Sequence, residues 1–250
     1  MNLDFSRITQ QEGVYYLTPE DAGFSKHYLA VREKENRILT DADIRKLPFL
    51  NRDEWPYRVK STERFIKYIA IKKRPQTILT IGCGNGWFSN KIAEVSSENN
   101  VIGLDVNREE LEQAARVFRK ENLYFMYADI FKVSKKCETL FDIITLNGAI
   151  QYFEDFEELI TLLQSFLTEN GEIHIIDSPF YKTNEIAAAK QRTKAYYKDL
   201  GVPEMTAHYH HHDEKLVANF EVLYQCKRNI IHKILGKKDS PFSWYRYIKS

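Results

Sequence analysis

The sequence predicts an α/β fold, a doubly wound and mostly parallel sheet with helices on both faces, preceded by an N-terminal helical cap. Three observations carry this expectation. From residue 77 to about residue 177, short β-branched apolar runs alternate with amphipathic helical segments, the pattern of a parallel sheet with crossover helices. A glycine cluster, Gly82, Gly84 and Gly86, follows the first of these runs directly. Carboxylates, Asp105 and Asp129, close the next two, where the strand C-termini of open α/β sheets meet their ligands.

Taken in order, residues 1–60 hold aromatic and charged residues with little strand pattern and read as a helical cap or lid, with residues 61–250 as the main domain. Within the cap, "TDADIRKLPFL" starts a short helix at a Thr or Asp cap. "STERFIKYIAIKKR" starts a longer helix at Ser61. "TILTI" (77–81) is the first strand, and the segment after the glycines places Phe88, Ile92 and Val95 on one helical face. "VIGLDV" (101–106) is the second strand. It leads into a helix capped by Asn107, with acids in its first turn and bases in its last, as the helix dipole favours. "NLYFMYADI" and "FDIITLNG" are the third and fourth strands. "EDFEELITLLQSFLTENG" is an amphipathic helix expected to end at Gly171, and "EIHIIDSPF" is a fifth strand broken by Pro179. A helix after Pro179 precedes two further strand candidates, "LVANFEVLYQC", which reads equally as helix, and "FSWYRYIK"; together they bring the sheet to seven.

Composition sets the class. The chain has 250 residues, 43% of them hydrophobic, 28% charged and 13% aromatic, with a net charge of +1. That is an ordinary globular balance, and it gives no global field for nucleic acid or a membrane surface. No apolar run approaches the roughly 20 residues that span a bilayer. "MNLDFSRITQ" lacks the basic start and apolar core of a signal peptide. Cys83, Cys137 and Cys226 lie far apart without CxxC spacing, which fits a reducing cytoplasm and neither a disulfide framework nor a zinc ribbon. A cytoplasmic protein without nucleic-acid or membrane partners is expected.

The glycine loop narrows the ligand. A dinucleotide loop reads G-x-G-x-x-G, and aligning Gly82 and Gly84 to its first two glycines puts Trp87 in the third place. Tryptophan cannot supply the close helix–strand contact that this glycine allows, which disfavours a nicotinamide-dependent oxidoreductase. The observed spacing suits a ligand whose amino-acid end and ribose lie against backbone without a pyrophosphate. Asp105 can accept both ribose hydroxyls, and Asp129 can accept from an exocyclic adenine amine. As an exposed strand-end carboxylate, Asp105 is expected to add little to the unliganded fold.

With its I-G-C-G-x-G-x-F pattern over Ile81–Phe88, the chain resembles the class I S-adenosylmethionine-dependent methyltransferases, and within them the methyltransferase type 11 group. The likeness covers residues 77 to about 177 and implies a Rossmann-like sheet with S-adenosylmethionine as methyl donor. It assigns the loop Thr80, Gly82, Cys83, Gly84 and Gly86 to the donor, the glycines along its methionine and ribose part. It implies Asp105 at the ribose hydroxyls, Val106 beside the adenine, Asp129 at the adenine amine with Ile130 against the ring, and Asn147 under the methionine moiety. One position departs from the family: the usual acid two residues before the first glycine is Thr80 here, so a charge-assisted contact is lost, and Thr80→Asp is expected to restore it.

The methyl acceptor is less legible. Displacement at a sulfonium methyl rests on positioning and exclusion of water, so no side chain is obligatory unless the acceptor must lose a proton. "NGAI" stands where enzymes acting on exocyclic base amines carry an N-P-P-Y type tetrapeptide, which tilts the reading towards a small-molecule acceptor. Tyr152 and His208 are the substrate-side candidates, His208 from the run "AHYHHHDE". Adjacent histidines cannot all face one ligand, and no metal is expected. His174 and Cys83 are expected to be buried packing residues, as are Tyr15, Tyr16 and Tyr28 in the cap. The basic, aromatic stretch from Cys226 onward reads as a soluble edge strand more than a nucleic-acid surface. Alternatives that remain open are a non-catalytic binding protein, an RNA methyltransferase and the oxidoreductase.

Overall fold

In the computed structural model, which describes residues 8–50, 55–133, 139–226 and 239–249, nine strands form one sheet. The strands are β1 (Thr9–Gln11), β2 (Val14–Tyr16), β3 (Thr77–Ile81), β4 (Asn100–Asp105), β5 (Leu123–Tyr127), β6 (Phe141–Asn147), β7 (Leu167–Ile176), β8 (Glu221–Tyr224) and β9 (Trp244–Ile248). The helices are α1 (Ala22–Lys34), α2 (Asp41–Ile44), α3 (Trp55–Ala70), α4 (Trp87–Ala93), α5 (Arg108–Val117), α6 (Phe156–Ser165) and α7 (Ile186–Asp199). Strand order is β1-β2-β5-β4-β3-β6-β7-β9-β8. All pairings from β2 to β7 are parallel, while β1, β9 and β8 join antiparallel at the two sides.

The seven expected strands are present, and two more extend the sheet from the N-terminal segment. That segment is therefore not wholly helical. β1 and β2 close on Glu12 and Gly13, both at positive φ (50° and 82°), the backbone of a two-residue hairpin turn. Val14 is fully buried against the core, and β2 pairs with β5 from Val14↔Phe125 to Tyr16↔Tyr127. Tyr16 stacks on Tyr127 (5.4 Å) and Tyr15 lies beside Tyr124, so both pack as expected.

Period-two alternation splits the central strands between two apolar layers. Ile78, Val101, Phe125 and Ile143 face α3, α4 and α5 through Phe65, Phe88, Ile92 and Leu111. Leu79, Ile102, Met126 and Ile144 face α6 through Leu159, Ile160 and Leu163. A third cluster joins α1 to α7 through Val31, Tyr197, Val202 and Met205, and it roofs the strand C-termini.

Several boundaries shift. α2 keeps an expected cap, Thr40, which forms a capping box with Asp43. α3 starts at Trp55, ahead of the expected Ser61. α6 ends at Ser165, not at Gly171, because Leu167 already pairs with Phe141 and the chain bulges through Asn170 at φ 61° before Glu172 pairs with Ile143. Among the described residues, no helix is long and apolar enough to cross a membrane. Cys137 and residues 227–238 of the basic C-terminal stretch lie outside the described residues.

Candidate functional site

Parallel strands with right-handed crossovers bring the loops after β3, β4, β5 and β6 to one edge. Strand order reverses between β4 and β6, on either side of β3, and a cavity of about 530 Å³ opens there. Its floor is Thr80 to Asn85, Asp105, Val106, Ala128 to Phe131 and Asn147 to Ala149, and its roof comes from α1 and the 3-10 turn Pro203–His208. The volume is within the range typical of small-molecule sites, about 300–1,000 Å³.

The loop after β3 is held by the protein itself. Gly82 and Cys83 both donate to the Leu104 carbonyl, at 2.9 and 3.2 Å, and Gly86 donates to the Cys83 carbonyl at 3.0 Å. Gly82, Gly84 and Gly86 all have positive φ, where a side chain would be strained. Close approach adds a second reason at two of them. A Cβ on Gly82 would meet the Ala149 Cβ at 2.6 Å, and one on Gly86 would meet the Phe125 ring at 2.5 Å. Gly86 is thus a packing glycine that caps α4 and does not line the cavity, whereas Gly82 and Gly84 do. The Cys83 thiol is buried, and burial pushes its pKa well above the usual range, so it is no nucleophile at neutral pH.

Asp105 closes β4 with its carboxylate turned back on the loop. One oxygen accepts from the Gly84 N–H (2.7 Å), the other from the N–H groups of Val106 (2.7 Å) and Asn107 (2.9 Å). This corrects the expectation of an exposed carboxylate that adds little to the unliganded fold. Burial raises its pKa, against the lowering effect of the three backbone donors. Asp129 caps the turn Ile130–Lys132 through the Phe131 N–H and pairs with Lys132 at 3.0 Å, while its side chain also borders the cavity. Ile130 is buried beside it.

Asn147 ends β6 with both side-chain atoms buried and without a hydrogen-bond partner, and the neighbouring Thr145 hydroxyl is likewise unpartnered. Both residues line the cavity. An amide left with unused donors and acceptors calls for a polar ligand, since each buried unsatisfied group costs about 1–3 kcal/mol. Asn147 and Asp105 in one cavity, with apolar Val106, Ala128 and Ile130 for a flat base, fit a nucleoside joined to an amino acid.

Thr80 is 2% exposed, and its hydroxyl has two partners: Ser89 Oγ at 2.5 Å and the Ile102 carbonyl at 3.3 Å. Because a carbonyl only accepts, the threonine donates to Ile102 and Ser89 donates to the threonine. A carboxylate here keeps the serine but faces the carbonyl with no proton to give. We therefore expect Thr80→Asp to lower the stability of the ligand-free protein by about 1–3 kcal/mol, a cost that the expected gain in donor binding does not include. Thermal unfolding with and without ligand checks this; an unchanged midpoint with tighter binding would restore the sequence reading.

Sequence reasoning missed the upper half of the site. α1 contributes Phe24, His27, Tyr28 and Arg32, and the first turn of α3 contributes Trp55 and Arg58. Tyr28 is therefore a cavity residue, contrary to the packing role expected of it. Phe24, Tyr28 and Tyr152 pack edge to face or stacked at 5.4–5.7 Å, and His208 joins them through Phe24 (5.6 Å) and His27 (5.8 Å). Tyr152 and His208 thus come together, but His210, His211 and His212 do not line the cavity. His211 meets Thr193, and His212 meets the Ile150 carbonyl. Burial and the charge of His27 lower the pKa of His208, which keeps it neutral at pH 7. The signal that was available is the Phe24, Tyr28, Arg32 spacing after the Asp21 cap, one face of a helix.

Comparison with known proteins agrees with this geometry. Residues 72–238 match a family model described as a methyltransferase domain. A malonyl-[acyl-carrier protein] O-methyltransferase of Halalkalibacterium halodurans is 28% identical over 120 residues, 45% of this chain and 44% of that protein. A second such enzyme, of Ilyobacter polytropus, is 34% identical over 97 residues, 38% of this chain and 37% of its own length. The matches thus span less than half the length of these relatives. Among solved structures, the plantazolicin methyltransferase BpumL in complex with a triazolic desmethylPZN analog and SAH (S-adenosylhomocysteine) superposes with a TM-score of 0.57. It is 18% identical and covers 91% of this chain and 97% of its own, a likeness of fold. With the family model matching well over half of the chain, the protein belongs to the methyltransferase-domain family, whose methyl donor is S-adenosylmethionine.

Proposed function

We propose that the chain transfers a methyl group from S-adenosylmethionine to a small-molecule acceptor held against the aromatic wall of Phe24, Tyr28 and Tyr152. The observation that carries this reading is the unpartnered Asn147 amide in the same cavity as Asp105. In this reading Asp105 accepts from the ribose hydroxyls, Val106 and Ile130 flank the adenine, Asp129 meets its amine, and Asn147 holds the amino-acid end. Arg58 lines the same end, its guanidinium nitrogen 3.1 Å from where a Gly148 side chain would begin, and it suits the donor's carboxylate. The donor supplies an electrophilic methyl on a sulfonium. The chain's own work is to orient the acceptor, exclude water beneath α1, and take up a proton where the acceptor must lose one. Neutral His208 is suited to that last task. Residues 1–60 act as a lid only in part, through α1, since β2 belongs to the sheet.

Calorimetry with S-adenosylhomocysteine, S-adenosylmethionine and NAD tests the donor half, and release of S-adenosylhomocysteine over a panel of hydroxyl, amine and carboxylate acceptors tests the rest. Ligand at a hundredfold excess over its dissociation constant is expected to stabilise the fold by about 2.7 kcal/mol. NAD is expected to give no shift. Binding of the donor with no turnover on any acceptor would favour a binding protein instead.

A further inference from the structure

One titratable group in the cavity has no part in the proposed reaction. Glu110 sits in the first turn of α5, where the Asn107 cap accepts its N–H at 3.2 Å, and its side chain turns into the cavity beside the glycine loop. A carboxylate oxygen of Glu110 stands 3.0 Å from the point where a Cβ on Gly84 would lie. Gly84 is also the residue whose N–H is bound by Asp105, so two carboxylates flank one glycine. They differ in what they have left to offer. Asp105 already accepts three backbone N–H groups, whereas Glu110 is a half-buried side chain opening on the cavity.

We propose that Glu110 is the second ribose-side carboxylate of the donor pocket, and that donor binding drives its proton out to solvent. The inference rests on the donor reading above. Both acids flank Gly84, and like charges at such a site resist joint ionisation. Burial, with the charges of Asp105 and Glu109 adding to it, pushes the Glu110 pKa up to about 7, against the lowering effect of Arg32 from α1. Tyr28 on α1, Cys83 in the loop and Tyr152 after β6 also feel the Glu110 charge, but burial holds all three above their ordinary values and hence neutral. His27 and His208 line the same cavity. A ligand hydroxyl donating to Glu110 favours its ionised form. The sign follows: affinity rises with pH up to about neutrality and levels off above it.

The test is calorimetry between roughly pH 5.5 and 8.5, with S-adenosylhomocysteine and with 5′-methylthioadenosine, which keeps the ribose but lacks the amino acid. For the wild type, both ligands are expected to bind roughly five- to tenfold more weakly at pH 6 than at pH 8, and about half a proton is released on binding at pH 7. Proton release is read on the unmodified protein by repeating the titration in buffers of different ionisation heat. Glu110→Gln is expected to flatten the profile and abolish the release, while His27→Gln/His208→Gln keeps both. A wild type that binds without releasing protons overturns the proposal, as does a release that survives Glu110→Gln. Failure of both ligands to bind at any pH would instead overturn the donor reading.

Discussion

Replacing Asp105 by alanine is expected to damage both the fold and the donor site. Its carboxylate satisfies the N–H groups of Gly84, Val106 and Asn107, at 2.7, 2.7 and 2.9 Å, and alanine leaves all three without a partner. Hydrogen bonds to a charged group contribute about 1.5–3 kcal/mol each, but water reaches part of this edge and the three act as one unit. We expect a loss of about 2–4 kcal/mol in unfolding free energy without ligand, read by urea denaturation. If Asp105 holds the ribose as proposed, donor affinity is expected to fall roughly 30- to 1,000-fold, since both hydroxyl contacts and the loop's anchor are lost. Unchanged ligand-free stability would mean that water replaces the carboxylate, and unchanged affinity for S-adenosylhomocysteine would place the ribose elsewhere.

The second large effect is expected far from the cavity, at Glu172. Its carboxylate accepts from the Tyr68 hydroxyl (2.7 Å), the Lys72 ammonium (2.8 Å) and His174 Nε2 (3.1 Å). Trp244 Nε1 donates to His174 Nδ1 at 3.0 Å, so the imidazole proton resides on Nε2 and points at Glu172. Burial lowers the His174 pKa and favours this neutral form. Despite the penalty of its own burial, donors from His174, Lys72 and Tyr68 hold the Glu172 pKa at about 2, below its ordinary 4.5. A depressed carboxylate stabilises the fold fully above its unfolded pKa, and that contribution disappears as pH falls from about 4.5 towards about 2. Glu172→Ala is expected to cost about 3–5 kcal/mol at neutral pH, the usual consequence of removing one partner from a buried charged cluster. The variant's stability is then expected to depend less on pH over the same acid window. Affinity for the donor is expected to stay within about twofold, because Glu172 pairs with Ile143 while the cavity lies at Asn147, the other end of β6. Equal stability of variant and wild type in urea at pH 7 would refute this account.

The sheet and the strand-end half of the cavity were legible because local chemistry dictates them. Strand, glycine turn and acid-ended strand succeed one another within a short span, and each constrains its own neighbourhood. His174 was legible as a packed residue for the same reason, lying in an apolar run. The hairpin of β1 and β2 was not, since three-residue strands carry too few positions for a period of two to emerge. Its Glu12–Gly13 turn is a weaker signal than the Asn-Gly or Asp-Gly that favour this geometry. Glu110 escaped because an acid in the first turn of a helix is what the dipole favours anyway. Only tertiary structure shows that it points inward. Tyr152 and His208 were legible as substrate-side candidates, but their meeting with Phe24 and Tyr28 was not: the four come from three distant segments and are brought together by the packing of α1 on α7 and the turn before Tyr209.

The glycine loop has a consequence for selectivity beyond the space it leaves. The N–H groups of Gly82, Cys83, Gly84 and Gly86 are bonded to the Leu104 and Cys83 carbonyls and to Asp105. Loops that cradle phosphate do so with free amides converging on the anion. None of these four amides is left to form such a nest, and the carboxylate of Asp105 stands against Gly84. A nucleotide diphosphate would find repulsion where a phosphate-binding loop provides donors, whereas a sulfonium-bearing nucleoside would find a favourable potential. Discrimination against dinucleotides is therefore expected from the hydrogen bonding of this turn as well as from the bulk of Trp87.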